Sequence, residues 1–392
     1  MWCIISLSFH LKEVFRLSTF PGGLRRDEQV SYALRGLFES RGYQRYKAGR
    51  FEEYGLYLEN KNFLHSGQVV TFHAPDGRLL ALRPDVTLSI AKTTKATRHN
   101  SEKLYYIEDV CRLSPRAREY EEIRQMGLEY FGGIDDLAVA EVVGLALRSL
   151  AEIDDDFVLD ISHMGFVGSL LDRLAPEPEA RAAILECMRS KNVHDLKKAA
   201  FGAGIAEKDA DRLARAAEIY GSFADCLPEA EAVADGDETM LDAVRELRTL
   251  ADILSSLPLS KNMRLDFSIV NDIDYYNGVI FQGYVRRAPR AVLSGGRYDN
   301  LLARFGHDAG AVGFALYLNA IGERYTESGG FDVDALVLYD DTADLPALMR
   351  EVDALAASGK RVRAEKTTPE NLRCAAICRF VNGKLEEVRK HA

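Results

Sequence analysis

The chain has 392 residues, 47% hydrophobic and 28% charged, with 50 Lys+Arg against 60 Asp+Glu for a net charge of −10. That length exceeds a typical single domain, and that composition excludes an intrinsically disordered chain. The acidic balance argues against a nucleic-acid partner, which calls for a basic footprint, and no apolar run approaches the ~20 residues that span a bilayer.

In chain order, Trp2 to Ile5 is apolar but lacks a basic n-region and a small-residue cleavage site, so no leader is expected. Val30, Ala33, Leu34, Leu37 and Phe38 keep helical spacing and predict a helix over 27–41, with Asp27 as N-cap and Gly42 beyond its end. Val69–Phe72 and Leu79–Leu82 flank the turn Ala74-Pro75-Asp76-Gly77 and predict a hairpin. Strands are expected over 104–112 and 123–131, and a helix over 138–151. Residues 166–256 are helical in pattern throughout and look like an insertion rather than a continuation of a sheet. Strand texture resumes at Met263 and continues through Val279–Tyr284 and Ala291–Leu293, where Gly295-Gly296 is expected to form a turn leading into a short helix. After Gly329-Gly330 come a strand at 335–339, a helix at 345–357 and strands near Arg361 and Ala375.

Runs of strands interrupted by a helical block predict an α+β fold on an antiparallel sheet rather than alternating βαβ units. No Walker-type or G-x-G-x-x-G phosphate loop is present. The six cysteines, Cys3, Cys111, Cys187, Cys226, Cys374 and Cys378, are too scattered for a disulfide framework and point to a cytoplasmic setting. Cys374 and Cys378 share strand parity and are expected as two buried thiols. The eight histidines show no HExxH or His-x-His spacing, and neither a metal nor another cofactor is expected.

Alternation along 123–131 places Gln125, Gly127 and Glu129 on one face and Met126, Leu128 and Tyr130 on the other. The second set is core. The first offers an amide, a gap and a carboxylate, as expected beneath a small polar ligand, although a solvated sheet face shows the same pattern. On the preceding strand Glu108 and Arg112 share a face, and the following loop adds Arg116 and Arg118, side chains able to clamp an anion. Leu82-Arg83-Pro84-Asp85-Val86-Thr87, Asp274-Tyr275-Tyr276-Asn277-Gly278 and Ser294-Gly295-Gly296-Arg297-Tyr298-Asp299 are each weak signals alone.

Together and in this order, these segments resemble the catalytic domain of histidyl-tRNA synthetases and, more closely, their non-synthetase relatives, the regulatory subunits of ATP phosphoribosyltransferase. The resemblance runs from about Pro21 to Tyr325. The family's L-R-P-E-x-T appears as Leu82–Thr87. Its second class motif matches Lys103 to Arg112 and then Gln125–Glu129. R-G-L-D-Y-Y matches Asn271–Tyr276, and the third class motif matches Gly313–Ala320. The implied fold is a class II synthetase-like antiparallel sheet with flanking helices. Its core would occupy 1–165 and 257–328, split by the helical insertion 166–256 and followed by a short C-terminal α/β domain, 329–392.

By the same resemblance, Asp85, Thr87 and Gln125 would hold the backbone end of histidine while Glu129 and Tyr276 read the imidazole, with Arg112 and Tyr275 candidates in the same pocket. Asp85 stands where the family has glutamate, one methylene longer. Other departures separate this chain from the synthetases. Asn271 replaces the arginine that opens R-G-L-D-Y-Y, Ala320 replaces the arginine closing the third motif, and bulky Tyr317 replaces a glycine where ATP would approach. Adenylation concentrates negative charge that cationic clamps stabilise, so no catalytic residue is expected here. The implied role is a regulatory subunit that pairs with a short-form catalytic ATP phosphoribosyltransferase, self-associates through a segment near 42–54, and lets histidine act as feedback effector. The stretch after Gly330 is short for an anticodon-binding domain. An active histidyl-tRNA synthetase and a free-standing histidine-sensing accessory protein remain the alternatives.

Overall fold

Helix α1 (Arg26–Glu39) forms where the periodicity predicts it, starting one residue earlier, so Asp27 lies in the first turn rather than at the cap. Val30, Leu34 and Phe38 are fully buried. The helix stops at Gly42, whose φ of +82° suits a residue without Cβ. There the Gly42 and Tyr43 N–H groups return to the Glu39 and Phe38 carbonyls. The computed structural model describes residues 24–60, 69–114, 118–175, 177–270, 275–324 and 331–390. They fall into two compact units, one within 30–324 and one made of residues 24–29 with 331–390.

In the larger unit β1 (Gln44–Arg45) is followed by β2 (Phe51–Glu53), α2 (Tyr54–Glu59), β3 (Thr71–His73) and β4 (Leu79–Leu82). The predicted hairpin is present: Phe72 pairs with Leu80, and the turn closes through the Gly77 N–H on the Ala74 carbonyl. Strand β2 adds to its other side, making a small three-stranded sheet. Next come α3 (Thr87–Thr93), the long pair β5 (Glu102–Leu113) and β6 (Tyr120–Gly132), α4 (Asp136–Ile153) and β7 (Phe157–His163). The helical stretch comprises α5 (Met164–Leu174), α6 (Pro178–Arg189), α7 (Val193–Gly202), α8 (Glu207–Glu218), α9 (Phe223–Ala234) and α10 (Glu238–Leu254), with the two-residue β8 (Tyr220–Gly221) between α8 and α9. The unit ends with β9 (Met263–Asp266), β10 (Val279–Val285), β11 (Leu293–Arg297), α11 (Asp299–Arg304), β12 (Gly310–Tyr317) and α12 (Leu318–Arg324).

These strands build one nine-stranded sheet in the order β1-β5-β6-β12-β11-β10-β7-β9-β8. Its centre is antiparallel as expected, with parallel pairs only between β1 and β5 and between β7 and β9. One face is apolar. Met126, Leu128, Phe281, Phe314 and Leu316 are buried there beneath α1 and α4. The other face carries small and polar groups. In one row across seven strands it reads Tyr106, Gly127, Ala315, Ser294, Gln282, Asp160 and Arg264.

Gly295-Gly296 is not a turn. It lies inside β11, because a Cβ at Gly295 would overlap the Gly313 carbonyl and Phe314, and one at Gly296 would sit 2.7 Å from the Val279 carbonyl. Here glycine serves close strand and side-chain approach, not chain reversal.

In the smaller unit β13 (Val333–Leu338), α13 (Leu345–Ala357), β14 (Val362–Glu365), β15 (Cys374–Val381) and β16 (Lys384–Lys390) give a four-stranded sheet, β14-β13-β15-β16. Val337, Ala347, Leu348 and Phe380 form its core. Cys374 is buried, but Cys378, at a register shift between β15 and β16, is only half-buried, so one of the two expected buried thiols is partly open. The fourth strand was not expected. Asn382 and Gly383, both at positive φ, make a two-residue loop of the Asn-Gly kind that suits a tight hairpin.

Candidate functional site

Glu129 on β6 points from the polar face of the sheet and is 2% exposed. The Thr87 hydroxyl, at the start of α3, donates to its Oε1 at 2.7 Å, and the Tyr298 hydroxyl, between β11 and α11, donates to Oε2. Across the ladder Gly313 leaves room for this carboxyl, since a Cβ there would overlap Oε2. No cation faces it. Burial pushes its pKa up to about 8; the two hydroxyl donors oppose that rise and the charge on Asp85 adds to it. At neutral pH this carboxyl is therefore largely protonated.

Aromatic rings enclose this acid. The gap that alternation predicts at Gly127 is filled from within the chain: the Tyr106 ring lies where a Cβ would be. Tyr276 rests on Gly296, its Cδ1 2.8 Å from the position of a Cβ. Tyr275 and Tyr276 have ring centroids 4.5 Å apart, and Tyr276 meets Tyr298 edge-on at 6.2 Å. Burial raises all four phenols above their ordinary range, so they are neutral donors. The remaining cavity is about 40 Å³, room for a few water molecules.

The opposite end is charged. Arg83 is 2% exposed and fastens the end of β4 to β5: its guanidinium meets Glu108 at 3.1 Å and donates to the Asp109 and Gly49 carbonyls. After the turn, Asp85 accepts the Leu88 N–H at 2.9 Å and lies 3.5 Å from the Arg112 guanidinium, whose Nε donates to the Pro84 carbonyl. Two arginines thus hold the segment that presents Asp85 and Thr87.

The seven candidate residues Asp85, Thr87, Arg112, Gln125, Glu129, Tyr275 and Tyr276 all line this one cavity. Both faces of the Gln125–Glu129 segment are buried, so the polar face is not a solvated one. Tyr106, Tyr298 and Tyr317 also line it. Tyr106 was missed although it sits on the Arg112 face opposite Gly127, and Tyr298 although it stands inside the Ser294–Asp299 segment. Asn271 and Arg116 lie outside the described residues. Arg118 and Ala320 do not line the cavity; beside Ala320, Asn319 ties α12 to β6 through the Arg124 N–H and the Glu122 carbonyl. Among the described residues no group of three or more His, Cys, Asp or Glu side chains could hold a metal ion.

Residues 19–321 match the family model of histidyl-tRNA synthetase. The chain is 32% identical over 345 residues to the ATP phosphoribosyltransferase regulatory subunit of Moorella thermoacetica, covering 85% of this chain and 86% of that one. It is 30% identical to the protein of the same name from Desulfitobacterium hafniense, over 92% and 94% of the two chains. Among solved structures, an ATP phosphoribosyltransferase regulatory subunit/histidyl-tRNA synthetase from Bacillus halodurans superposes with a TM-score of 0.73 at 22% identity, covering 91% of this chain and 94% of that one. That likeness establishes a class II synthetase-like fold.

Proposed function

The chain belongs to the histidyl-tRNA synthetase family and, within it, to the ATP phosphoribosyltransferase regulatory subunits, and from that membership we propose that its narrow cavity is the histidine sensor of the complex. A regulatory subunit is not itself the enzyme. Its role lies in histidine biosynthesis, where a short-form catalytic partner condenses ATP with phosphoribosyl pyrophosphate. A solved ATP phosphoribosyl transferase complex from Thermotoga maritima shares this fold, with a TM-score of 0.57 at 19% identity over 74% of this chain and 96% of that one.

The observation that carries the sensor is the polarity of the cavity. At one end a buried carboxyl with hydroxyl neighbours, Glu129, suits a ring with two polar nitrogens. At the other, Asp85 suits an ammonium and Arg112 a carboxylate. Gln125, Thr87, Tyr275 and Tyr276 complete the wall. With only about 40 Å³ free, histidine enters through the half-open Gln125–Tyr317 end as tyrosine rings turn aside, so the ligand and the narrow cavity compete. That competition gives the two states of differing affinity on which feedback depends.

On this proposal the helical stretch 166–256 and residues 329–392 are attachments to a synthetase-like core, and self-association involves the segment 42–54 around β1. On the same proposal the setting is cytoplasmic, as suits a subunit of a biosynthetic enzyme; no helix among the described residues is long and apolar enough to cross a membrane. An active synthetase is the competing account, disfavoured by Ala320 and Tyr317 in the third motif.

The test is reconstitution. The chain is mixed with a short-form catalytic subunit, sedimented, and assayed for transferase activity over a histidine titration. A stable hetero-oligomer whose activity falls with histidine is expected, together with no histidine-dependent pyrophosphate exchange by the chain alone. A chain that leaves the transferase unaltered, or that exchanges pyrophosphate at a synthetase rate, would overturn the proposal.

A further inference from the structure

On the cavity face of β12 the side chains run Gly313, Ala315, Tyr317. The first two are small and pair with Glu129 and Gly127 on β6, so β12 itself adds no bulk from the buried acid to the middle of the strand, where the Tyr106 ring covers Gly127. At the third position the floor becomes a wall: Tyr317 pairs with Gln125 and stands beside it. Burial changes along the same line. Glu129, Gly313 and Gly296 are buried, whereas Ala315, Tyr317 and Ser294 are half-buried, so the cavity opens at the Gln125–Tyr317 end. Tyr276 lines the same cavity.

Four residues of strand separate Glu129 from Gln125, about 13 Å, which is ample for a histidine lying with its ring on the acid. Its backbone carboxyl then ends beside Gln125, and any group attached to that carboxyl must leave past Tyr317. We propose that Tyr317 sets the length of the ligand, admitting a free amino acid and rejecting one whose carboxyl carries a bulky ester, amide or anhydride. This rests on the histidine-sensor proposal and adds a selection to it: the sensor answers to free histidine and not to carboxyl-linked histidine. Bulk does the selecting, since a ring without its hydroxyl would fill the same space.

Calorimetry on the full chain, with the wild type, Tyr317→Ala and Tyr317→Phe, tests it with three probes: histidine, histidinamide and histidine β-naphthylamide. Histidinamide removes the carboxylate charge without adding length, so its comparison with the naphthylamide isolates bulk. The wild type and Tyr317→Phe should bind the naphthylamide roughly 100-fold more weakly than histidinamide, and Tyr317→Ala should narrow that gap to about tenfold or less. Equal binding of the two amides by the wild type, or an unchanged gap in Tyr317→Ala, overturns the role of Tyr317 while histidine binding leaves the sensor standing. If neither histidine nor histidinamide binds the wild type, the sensor falls, and the length limit falls with it.

Discussion

Asp85 and Glu129 line the same cavity, yet their surroundings differ. Asp85 faces a guanidinium 3.5 Å away and caps the first turn of a helix. Glu129 is held by two hydroxyls, those of Thr87 and Tyr298, and lies deeper. The Asp85–Arg112 ion pair marks one end of the cavity, whereas burial with only hydroxyl donors drives Glu129 towards its protonated form. One cavity therefore offers a charged end for a zwitterionic backbone and a nearly neutral end for a ring whose nitrogens carry or lack a proton. That asymmetry, more than cavity size, is what makes histidine a good fit.

The largest effect should come from dismantling the charged end. Arg83→Met removes a guanidinium that is 2% exposed and strands Glu108 with two backbone carbonyls, so unfolding in urea should show a loss of about 3–5 kcal/mol. A loss below about 1 kcal/mol would mean the Asp85 segment does not depend on that arginine.

At the neutral end the effect depends on pH. The Glu129 carboxyl rises from 4.5 to about 8 in the folded chain, so between these values the folded state keeps a proton that the unfolded state has released. Its contribution to stability is full below about pH 4.5 and is lost as pH climbs through the window, by up to ~1.4 kcal/mol per pH unit. Glu129→Gln cannot ionise. Its stability relative to the wild type should therefore improve steadily from pH 5 to pH 8 in denaturant titrations, and a flat difference would contradict the neutral end.

The smallest effect belongs to the hydroxyl donors. Tyr298→Phe keeps the ring packing against Tyr275 and Tyr276 but removes one donor to Glu129. A cost of about 1 kcal/mol is expected in thermal unfolding at pH 6. Across the same pH series the variant should also move the Glu129 transition upward, because that donor holds it down. A transition that stays put would remove Tyr298 from the acid's environment.

The same physics separates what was legible in the sequence from what was not. The 69–82 hairpin announces itself through its Ala74–Gly77 turn, although β3 is exposed throughout, and the β5–β6 pair and α4 through runs of apolar residues at strand and helix spacing. The seven cavity residues were legible from strand parity joined to the family motifs. Gly295-Gly296 was not, because paired glycines usually mark a turn and only the clash of a Cβ with neighbouring strands shows otherwise. The Tyr106 ring over Gly127 joins residues 21 positions apart in sequence through a cross-strand register that composition does not encode. Strand β16 is mostly exposed and has little apolar alternation, so its Asn382-Gly383 loop was the better signal. Narrowing of the cavity by its own tyrosines is a packing outcome that no local pattern carries.

The most direct measurement is a calorimetric titration of histidine into the full chain, wild type beside Glu129→Gln, at one pH near neutrality. The account predicts that the wild type binds, the imidazole drawing the proton from Glu129 so that the two pair as imidazolium and carboxylate, and that Gln, equal in size but with no such proton to give, weakens binding by roughly 10- to 150-fold, the range of a hydrogen bond to a charged group. Equal affinities in the two proteins would contradict it and place the regulatory histidine outside this cavity.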